Sequence, residues 1–249
     1  MTAADGPPVP WEQRALSFGA YAEDYDRSRP GYPAAALDWL LPAGARRVID
    51  VGAGTGKLTT ALLARGLSVV AVEPDPAMLA VLVARLPAAD AHEAGAETLP
   101  VADGSVDAVV AGQAWHWFDQ ARALAEARRV LRPGGWLGLI WNAPDLDSPW
   151  DRELARLDGT WHGGGGDGFW PPGLPREGTE ARAVPWTQDM TPAQVTAEHA
   201  THSAIALLPA EQRRQRLAAI EAHARDEAGR RGSPTVCVSR VSRCFRRSP

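Results

Sequence analysis

Apolar residues fall in short blocks through the middle of the chain, and these blocks alternate with stretches of helical spacing. Arg47-Val-Ile-Asp-Val51 is an apolar run that ends in glycines. Thr55 to Arg65 follows, with Leu58, Leu62 and Leu63 on a helical repeat and Gly66 as a stop. Ser68-Val-Val-Ala-Val72 is a second run, of the kind that suits a strand buried on both faces, and "EPDP" closes it. Asp75 then caps a predicted helix whose apolar residues are Met78, Leu79, Leu82 and Val83. The alternation continues with a weak strand over Ala89 to Ala94, the turn "VADGS" and a strand from Val106 to Ala111. A helix from Asp119 to Leu131 stops at "RPGG", and Trp136 to Trp141 is the next strand. Apolar runs alternating with helices of this length predict a parallel sheet covered on both faces. The expected fold is therefore α/β, a Rossmann-like doubly wound core over residues 44–142.

The flanks read differently. Residues 1–10 are polar and proline-rich, and 11–43 carry helical segments broken by "SRPGYP", an N-terminal helical cap. Residues 143–178 are rich in Gly, Pro, Trp and Asp, including Gly163-Gly-Gly-Gly166, and suggest an insertion or lid after the fifth strand. Residues 179–249 predict a strand near 180–190, helices over 192–206 and 210–230, and a last strand from Thr235 to Arg246. No internal repeat is visible, so the expectation is one elaborated domain over 1–249.

Composition narrows the class. A chain of 249 residues, 45% hydrophobic and 22% charged, can bury a sizeable core. A net charge of −4 argues against nucleic acid as the main partner. No run approaches the ~18 apolar residues of a membrane span, and Met1 to Pro10 lacks the basic flank and apolar run of a signal peptide. Cys237 and Cys244 lie seven apart on one predicted strand, roughly 23 Å at about 3.3 Å per residue, too far to bond. Without a disulfide framework the expected compartment is reducing and cytoplasmic. Lys57 is the only lysine beside many arginines and alanines, a coding bias of GC-rich bacteria.

The candidate chemistry begins at "VGAGTGKLTT", residues 51–60. A phosphate-binding P-loop would need glycine where Val51 stands and a hydroxyl where Leu58 stands, so the motif fails at both ends. The nicotinamide fingerprint spaces its glycines G-x-G-x-x-G, whereas Gly52, Gly54 and Gly56 run G-x-G-x-G. A strand leading into glycines and then a helix still suits a nucleotide-bearing cofactor at the carboxyl end of a parallel sheet. Glu73 ends the second strand, placed to accept from two ribose hydroxyls. Asp50, two residues before Gly52, would lie near an ammonium group, which a dinucleotide pyrophosphate lacks.

Four successive stretches, "VIDVGAGTG", "VEPDPAML", "GAETLPVADGSVDAVVAGQAWHWF" and "EARRVLRPGGWLGLIWN", resemble the motifs of class I S-adenosylmethionine-dependent methyltransferases. They are most similar to the small-molecule branch related to the ubiquinone and menaquinone biosynthesis methyltransferases. The resemblance covers about residues 46–142, and "YDRSRPGYP" resembles the cap of many members. It implies a seven-stranded, mostly parallel sheet whose last two strands form an antiparallel edge. It also implies S-adenosyl-L-methionine as cofactor, with S-adenosyl-L-homocysteine as product. By the same resemblance Asp50 positions the methionine end, with Gly52, Ala53, Gly54 and Gly56 as the loop beside it. Glu73 holds the ribose, Pro74 and Met78 make apolar contacts, and Ala96 and Glu97 meet the adenine. Gln113 lies near the methionine portion, with Tyr25 and Arg29 closing from the cap.

The acceptor side is less defined. Methyl transfer from a sulfonium requires alignment and exclusion of water, and acid–base help is optional. His116, in Trp115-His-Trp-Phe118 just after the fourth strand, is the candidate general base, and Tyr21 could offer a hydroxyl. The chain has 10 Trp, and Trp115, Trp117, Trp141 and Trp150 are candidates for an acceptor pocket. His199 and His202 sit together on one helix, but no acidic or cysteine partner is evident, so no metal is expected. Arg240, Arg243, Arg246 and Arg247 form a basic tail, read as solvated charge. The expected partner is a small-molecule acceptor, oxygen slightly favoured over nitrogen or carbon, with a monomer or homodimer and neither nucleic acid nor membrane. An RNA methyltransferase and a cofactor-binding protein without transferase activity are the alternatives.

Overall fold

The computed structural model describes residues 22–159 and 169–248. Tyr21, Trp161, His162 and the run Gly163 to Gly166 lie outside them, as does the side chain of Tyr25. Seven strands form one sheet in the order β3-β2-β1-β4-β5-β7-β6. They are β1 (Arg47–Val51), β2 (Ser68–Val72), β3 (Asp90–His92), β4 (Val106–Gly112), β5 (Leu131–Pro144), β6 (Thr179–Met190) and β7 (Val236–Arg247). β1 through β5 pair in parallel, and β7 runs antiparallel to both β5 and β6. This is the expected doubly wound sheet, with β7 inserted as the one reversed strand. Cys237 and Cys244 are both free thiols on β7, as their spacing requires.

The order follows from side-chain alternation. Ile49 and Val51 of β1 join Val70, Val72 and Val109 in one apolar layer. Val48, Val69, Ala108 and Val110 join a second layer on the other face, with Leu37 and Leu40. A strand buried on both faces must be apolar throughout, which is why β1, β2 and β4 read as unbroken runs. Leu37 and Leu40 belong to α2 (Ala34–Leu40), which follows α1 (Ala22–Ser28). The turn before α3 (Lys57–Leu63) uses Gly56 in a left-handed conformation. Asp75 caps α4 (Pro76–Arg85) by accepting from the Ala77 and Met78 amides. Asp119 caps α5 (Gln120–Val130) in the same manner through Arg122.

Two expectations are corrected. "RPGG" does not precede the fifth strand; it lies within it, with a register shift between Val106 and Ala108 on the neighbouring β4. The stretch after β5 is also not loop throughout: Pro149–Asp158 forms α6, with Ser148 as cap and Leu154 and Ala155 buried. α6 packs with α7 (Pro192–Ala200), α8 (Ser203–Ala206) and the long α9 (Ala210–Arg231). Leu154, Val195, Ile205, Ile220, Val236 and Val238 make a separate apolar cluster there. The helical repeat of α9 carries its buried residues at Ile220, Ala224 and Ala228, one face of a helix. Among the described residues no helix is long and apolar enough to cross a membrane.

The arginines of β7 are not a free basic patch. Arg240 is buried and pairs with Glu198 at 2.5 Å. Arg246 pairs with Glu180 at 2.7 Å and lies 4.5 Å and 4.9 Å from the ring centres of Trp39 and Trp136. Arg247 donates to the Glu177 carbonyl.

The expected apolar face of α4 holds only in part. Leu82 is fully buried, whereas Val83 is 50% exposed. Leu82→Ala is therefore expected to cost about 2–5 kcal/mol, and Val83→Ala to stay within about 0.5 kcal/mol. Urea denaturation of the two variants checks this.

Candidate functional site

A cavity of about 440 Å³ opens at the carboxyl ends of β1, β2 and β4. Gly52, Gly54, Glu73, Pro74 and Met78 wall one side of it. Asp158, His199 and His202 wall another, from the C-terminal helices. The cavity thus joins the glycine loop to a part of the chain far from it in sequence.

The loop is held by its own backbone. The Gly52 and Ala53 amides both donate to the Val72 carbonyl, at 2.8 Å and 3.0 Å. The Gly54 amide donates to Glu73 Oε2 at 2.8 Å, and the Asp75 amide donates to Oε1 at 2.9 Å. The Gly52, Ala53 and Gly54 amides are thus committed within the protein. Ala53 turns away into a small apolar cluster with Ala71 and Leu82. Glycine serves a different purpose at each position of the loop. At Gly52, with φ +68°, a Cβ would stand 2.5 Å from the Ala114 Cβ and 3.1 Å from Phe118. At Gly54, with φ +57°, a Cβ would meet only Met78, at 3.4 Å. Each Glu73 oxygen has accepted one bond and keeps a lone pair for another donor. Burial raises the Glu73 carboxyl above its usual range, and the two amides lower it again.

Asp50 stands behind the loop and not in the cavity wall. It is fully buried, and its Oδ2 accepts from Thr59 Oγ1 at 2.6 Å. Its Oδ1 is buried with no partner among the described residues. Burial pushes this carboxyl up to about 7; Thr59 opposes the shift, and the Glu73 charge adds to it.

Gln113 lies on the cavity at the end of β4 and is the one non-glycine with positive φ, +60°, among the described residues. Its amide donates to the Ile140 carbonyl at 2.9 Å and its side-chain Nε2 to the Asn142 carbonyl at 3.2 Å. Such a conformation costs of order 1 kcal/mol or more and persists where its surroundings demand it. Arg29 also lines the cavity, but it donates to Thr201 Oγ1 and to the Thr201 carbonyl, at 3.0 Å and 3.1 Å.

The remaining expectations divide. His116, Trp117 and Phe118 line the cavity, with His116 exposed. Ala96 is buried in the main apolar layer, and Glu97 accepts from the Asp119 amide at 2.8 Å; neither is in the cavity wall. Trp115 is a core residue, 1% exposed, with Nε1 donating to the Pro172 carbonyl at 2.8 Å. Trp141 packs against Phe169 and Phe245, and Trp150 stacks on His223 at 5.2 Å. Among the described residues these three indoles pack against other side chains and do not reach the cavity wall.

The sequence reading missed Asp151, Asp158 and Asn142. Asn142 Nδ2 donates to the Gly31 carbonyl at 2.9 Å, and its Oδ1 accepts from Ser242 Oγ at 2.7 Å, tying β5 to the cap and to β7. Asp151 is buried on the cavity wall and accepts from the Ser239 amide at 3.0 Å. Asp158 supplies the acidic partner that His199 and His202 lacked in the sequence, with Oδ1 3.3 Å from His199 Nδ1 and Oδ2 2.8 Å from His202 Nδ1. Only its spacing at Asp151 plus seven, on one face of an amphipathic stretch, could have signalled this.

Known proteins agree with the geometry. Residues 49–139 match a family model described as a methyltransferase domain. An uncharacterized methyltransferase of Mycobacterium tuberculosis is 59% identical over 145 residues, which cover 58% of this chain and 60% of that protein. The chain thus spans less than two thirds of the curated relatives it matches. A malonyl-[acyl-carrier protein] O-methyltransferase of Methylococcus capsulatus is 37% identical over 146 residues, 54% of this chain and 52% of that one. A solved structure from Anaeromyxobacter dehalogenans, a candidate type II methyltransferase, superposes with a TM-score of 0.64 at 26% identity. That likeness covers 88% of this chain and 96% of the other.

The raised Asp50 carboxyl has a consequence for stability. The folded chain holds this proton more tightly than the unfolded chain, so stability is full below the ordinary carboxylate range and is lost as pH rises toward 7. Asp50→Asn removes that loss. Denaturation at pH 5 and pH 8 is expected to show the variant gaining on the parent chain at the higher pH.

Proposed function

Residues 49–139 belong to the methyltransferase domain family on a class I fold, and we propose that the chain transfers a methyl group from S-adenosyl-L-methionine to a small-molecule acceptor, with S-adenosyl-L-homocysteine as product. The observation that carries this reading is the single cavity shared by the glycine loop, Glu73 and the C-terminal helices. One end has the features a nucleoside with a cationic amino-acid tail would use, and the other is a separate polar wall where an acceptor can lie.

The residues fit that cofactor. The remaining lone pairs of the two Glu73 oxygens suit a vicinal diol. Met78 and Pro74 give apolar surface beside it. The open space at Gly54 lets a ligand lie against the main chain where a Cβ would intrude. The orphaned Asp50 Oδ1 puts a buried carboxyl under the loop, which favours a cation above it. The cofactor when bound supplies a methyl group already activated on a sulfonium, so the protein's task is positioning. Gln113 and Phe118 limit where the tail can lie, and Trp117 and His116 flank the approach. His116, exposed at the cavity, is the candidate to take a proton from the acceptor. Oxygen is favoured as the attacked atom because a 37% identical relative is an O-methyltransferase. The internal pairing of Arg240, Arg246 and Arg247 weighs against the RNA reading.

Calorimetric titration tests the proposal. S-adenosyl-L-methionine and S-adenosyl-L-homocysteine are expected to bind, and NADH and ATP are not; binding of NADH alone, or of none of the four, would overturn it. Glu73→Ala should weaken cofactor binding by about 1–3 kcal/mol, the value of hydrogen bonds to a charged group. If the cofactor's ammonium acts on Asp50, binding near pH 7 should release a proton, visible as heats that depend on the buffer's ionisation enthalpy. His116→Ala is expected to slow turnover at saturating acceptor with cofactor affinity unchanged, and an unaltered rate would remove His116 as base.

A further inference from the structure

Asp158 ends α6, His199 lies in the last turn of α7, and His202 caps α8. The chain between the two histidines is a tight turn, with the His202 amide donating to the His199 carbonyl at 3.0 Å. One ligating atom from each of the three residues lies within 4.8 Å of the others. All three line the cavity, away from the glycine loop in sequence and on different elements. Asp158 is 1% exposed and His199 is 7% exposed.

Two details separate this cluster from an ordinary hydrogen-bonded trio. Asp158 Oδ1 and His199 Nδ1 face each other at 3.3 Å, a long and poorly aligned contact, and neither buried atom has another partner among the described residues. A buried polar atom left unpaired costs about 1–3 kcal/mol, and a shared cation would satisfy both atoms at once. The spacings also suit a shared ion. Two donors about 2.0–2.2 Å from one metal and about 90–110° apart stand about 2.8–3.6 Å from each other. The two Asp158–histidine separations are 3.3 Å from Oδ1 and 2.8 Å from Oδ2, so a shared ion would take the carboxylate through both oxygens.

We propose that Asp158, His199 and His202 bind one divalent cation of the zinc, cobalt or iron(II) type, with open coordination positions toward the cavity. Two imidazoles and one carboxylate suit such ions, whereas magnesium and calcium prefer oxygen throughout. Asp158, Asp151 and Glu198 face the region from α6 and α7, with Arg29 and Arg240 also on the cavity and Arg213 and Arg216 of α9 donating to the Ala200 and Leu157 carbonyls beside it. The open positions would take an oxygen of the acceptor. That role rests on the methyl-transfer reading; the cation site itself does not.

The test uses tag-free full-length protein, stripped with a chelator and titrated with Zn²⁺ and Co²⁺, alongside calorimetry with S-adenosyl-L-homocysteine. One equivalent of either cation is expected to bind, and Co²⁺ should show the visible absorption of a nitrogen- and oxygen-ligated ion. His199→Gln and Asp158→Asn should each weaken cation binding about tenfold or more, since even outer partners of a metal matter on that scale. Circular dichroism melts establish that each variant folds, and its affinity for S-adenosyl-L-homocysteine should match the parent's. No saturable binding by the parent chain, or binding that both folded variants retain, would overturn the site. Cation binding without S-adenosyl-L-homocysteine binding would uphold the site and overturn the methyl-transfer reading.

Discussion

The hydrogen bonds that the Gly54 and Asp75 amides donate to Glu73 are the constraint on which the glycine-loop side of this molecule depends. They join the turn after β1 to the turn after β2, two loops that the sheet brings side by side. Without a carboxylate between them, two amides would lie buried and unpaired near a cavity. The same bonds also fix where Asp75 stands, and Asp75 in turn accepts from the first-turn amides of α4. A single side chain therefore sets the position of a helix, shapes the glycine loop and lines the cavity. Its charge is tolerated in a buried place because donors already surround it.

Close packing explains the rest of that wall. Gly52 sits so near Ala114 and Phe118 that any side chain would displace the segment after β4. The segment is itself constrained, because Gln113 adopts a left-handed conformation held by bonds to Ile140 and Asn142 of β5. The loops after β1, β2 and β4 are thus mutually located by contacts at the carboxyl edge, where open α/β sheets bind ligands. Asn142 extends the chain of bonds to the cap through Gly31 and to β7 through Ser242.

The glycine-loop half was legible because each of its features is local. A strand buried on both faces must be an apolar run, a turn needing positive φ must hold glycine, and a helix start prefers an acid such as Asp75. Those rules act within about ten residues, so Asp50, Gly52, Glu73 and Asp119 could be placed from the sequence. The other half is not local. Asp158 meets His199 and His202 across some forty residues, and Arg240 meets Glu198 across a similar span, on elements whose packing angle no short-range pattern fixes. The surroundings of the tryptophans are non-local for a related reason. Trp115 and Trp141 have the composition of a pocket lining, but their burial is decided by Pro172, Phe169 and Phe245, which arrive from later in the chain.

The reversed strand β7 is what makes that distant half part of the site. A parallel strand at this position would need a crossover on one face of the sheet. An antiparallel one lets the chain run out along β6, with α7, α8 and α9 intervening, and return between β5 and β6. This geometry carries Arg240 beneath α7, where its buried pairing with Glu198 fixes the helix carrying His199. A buried ion pair is poor evidence of net stability but strong evidence of fixed geometry, since breaking it strands a charge. The pairing therefore holds the histidine-bearing turn at a set distance from α6 and Asp158, independently of the glycine loop. The two ends of the cavity are built by separate networks, joined through the sheet edge and through the cap, where Arg29 donates to Thr201 and Asp26 pairs with Lys57.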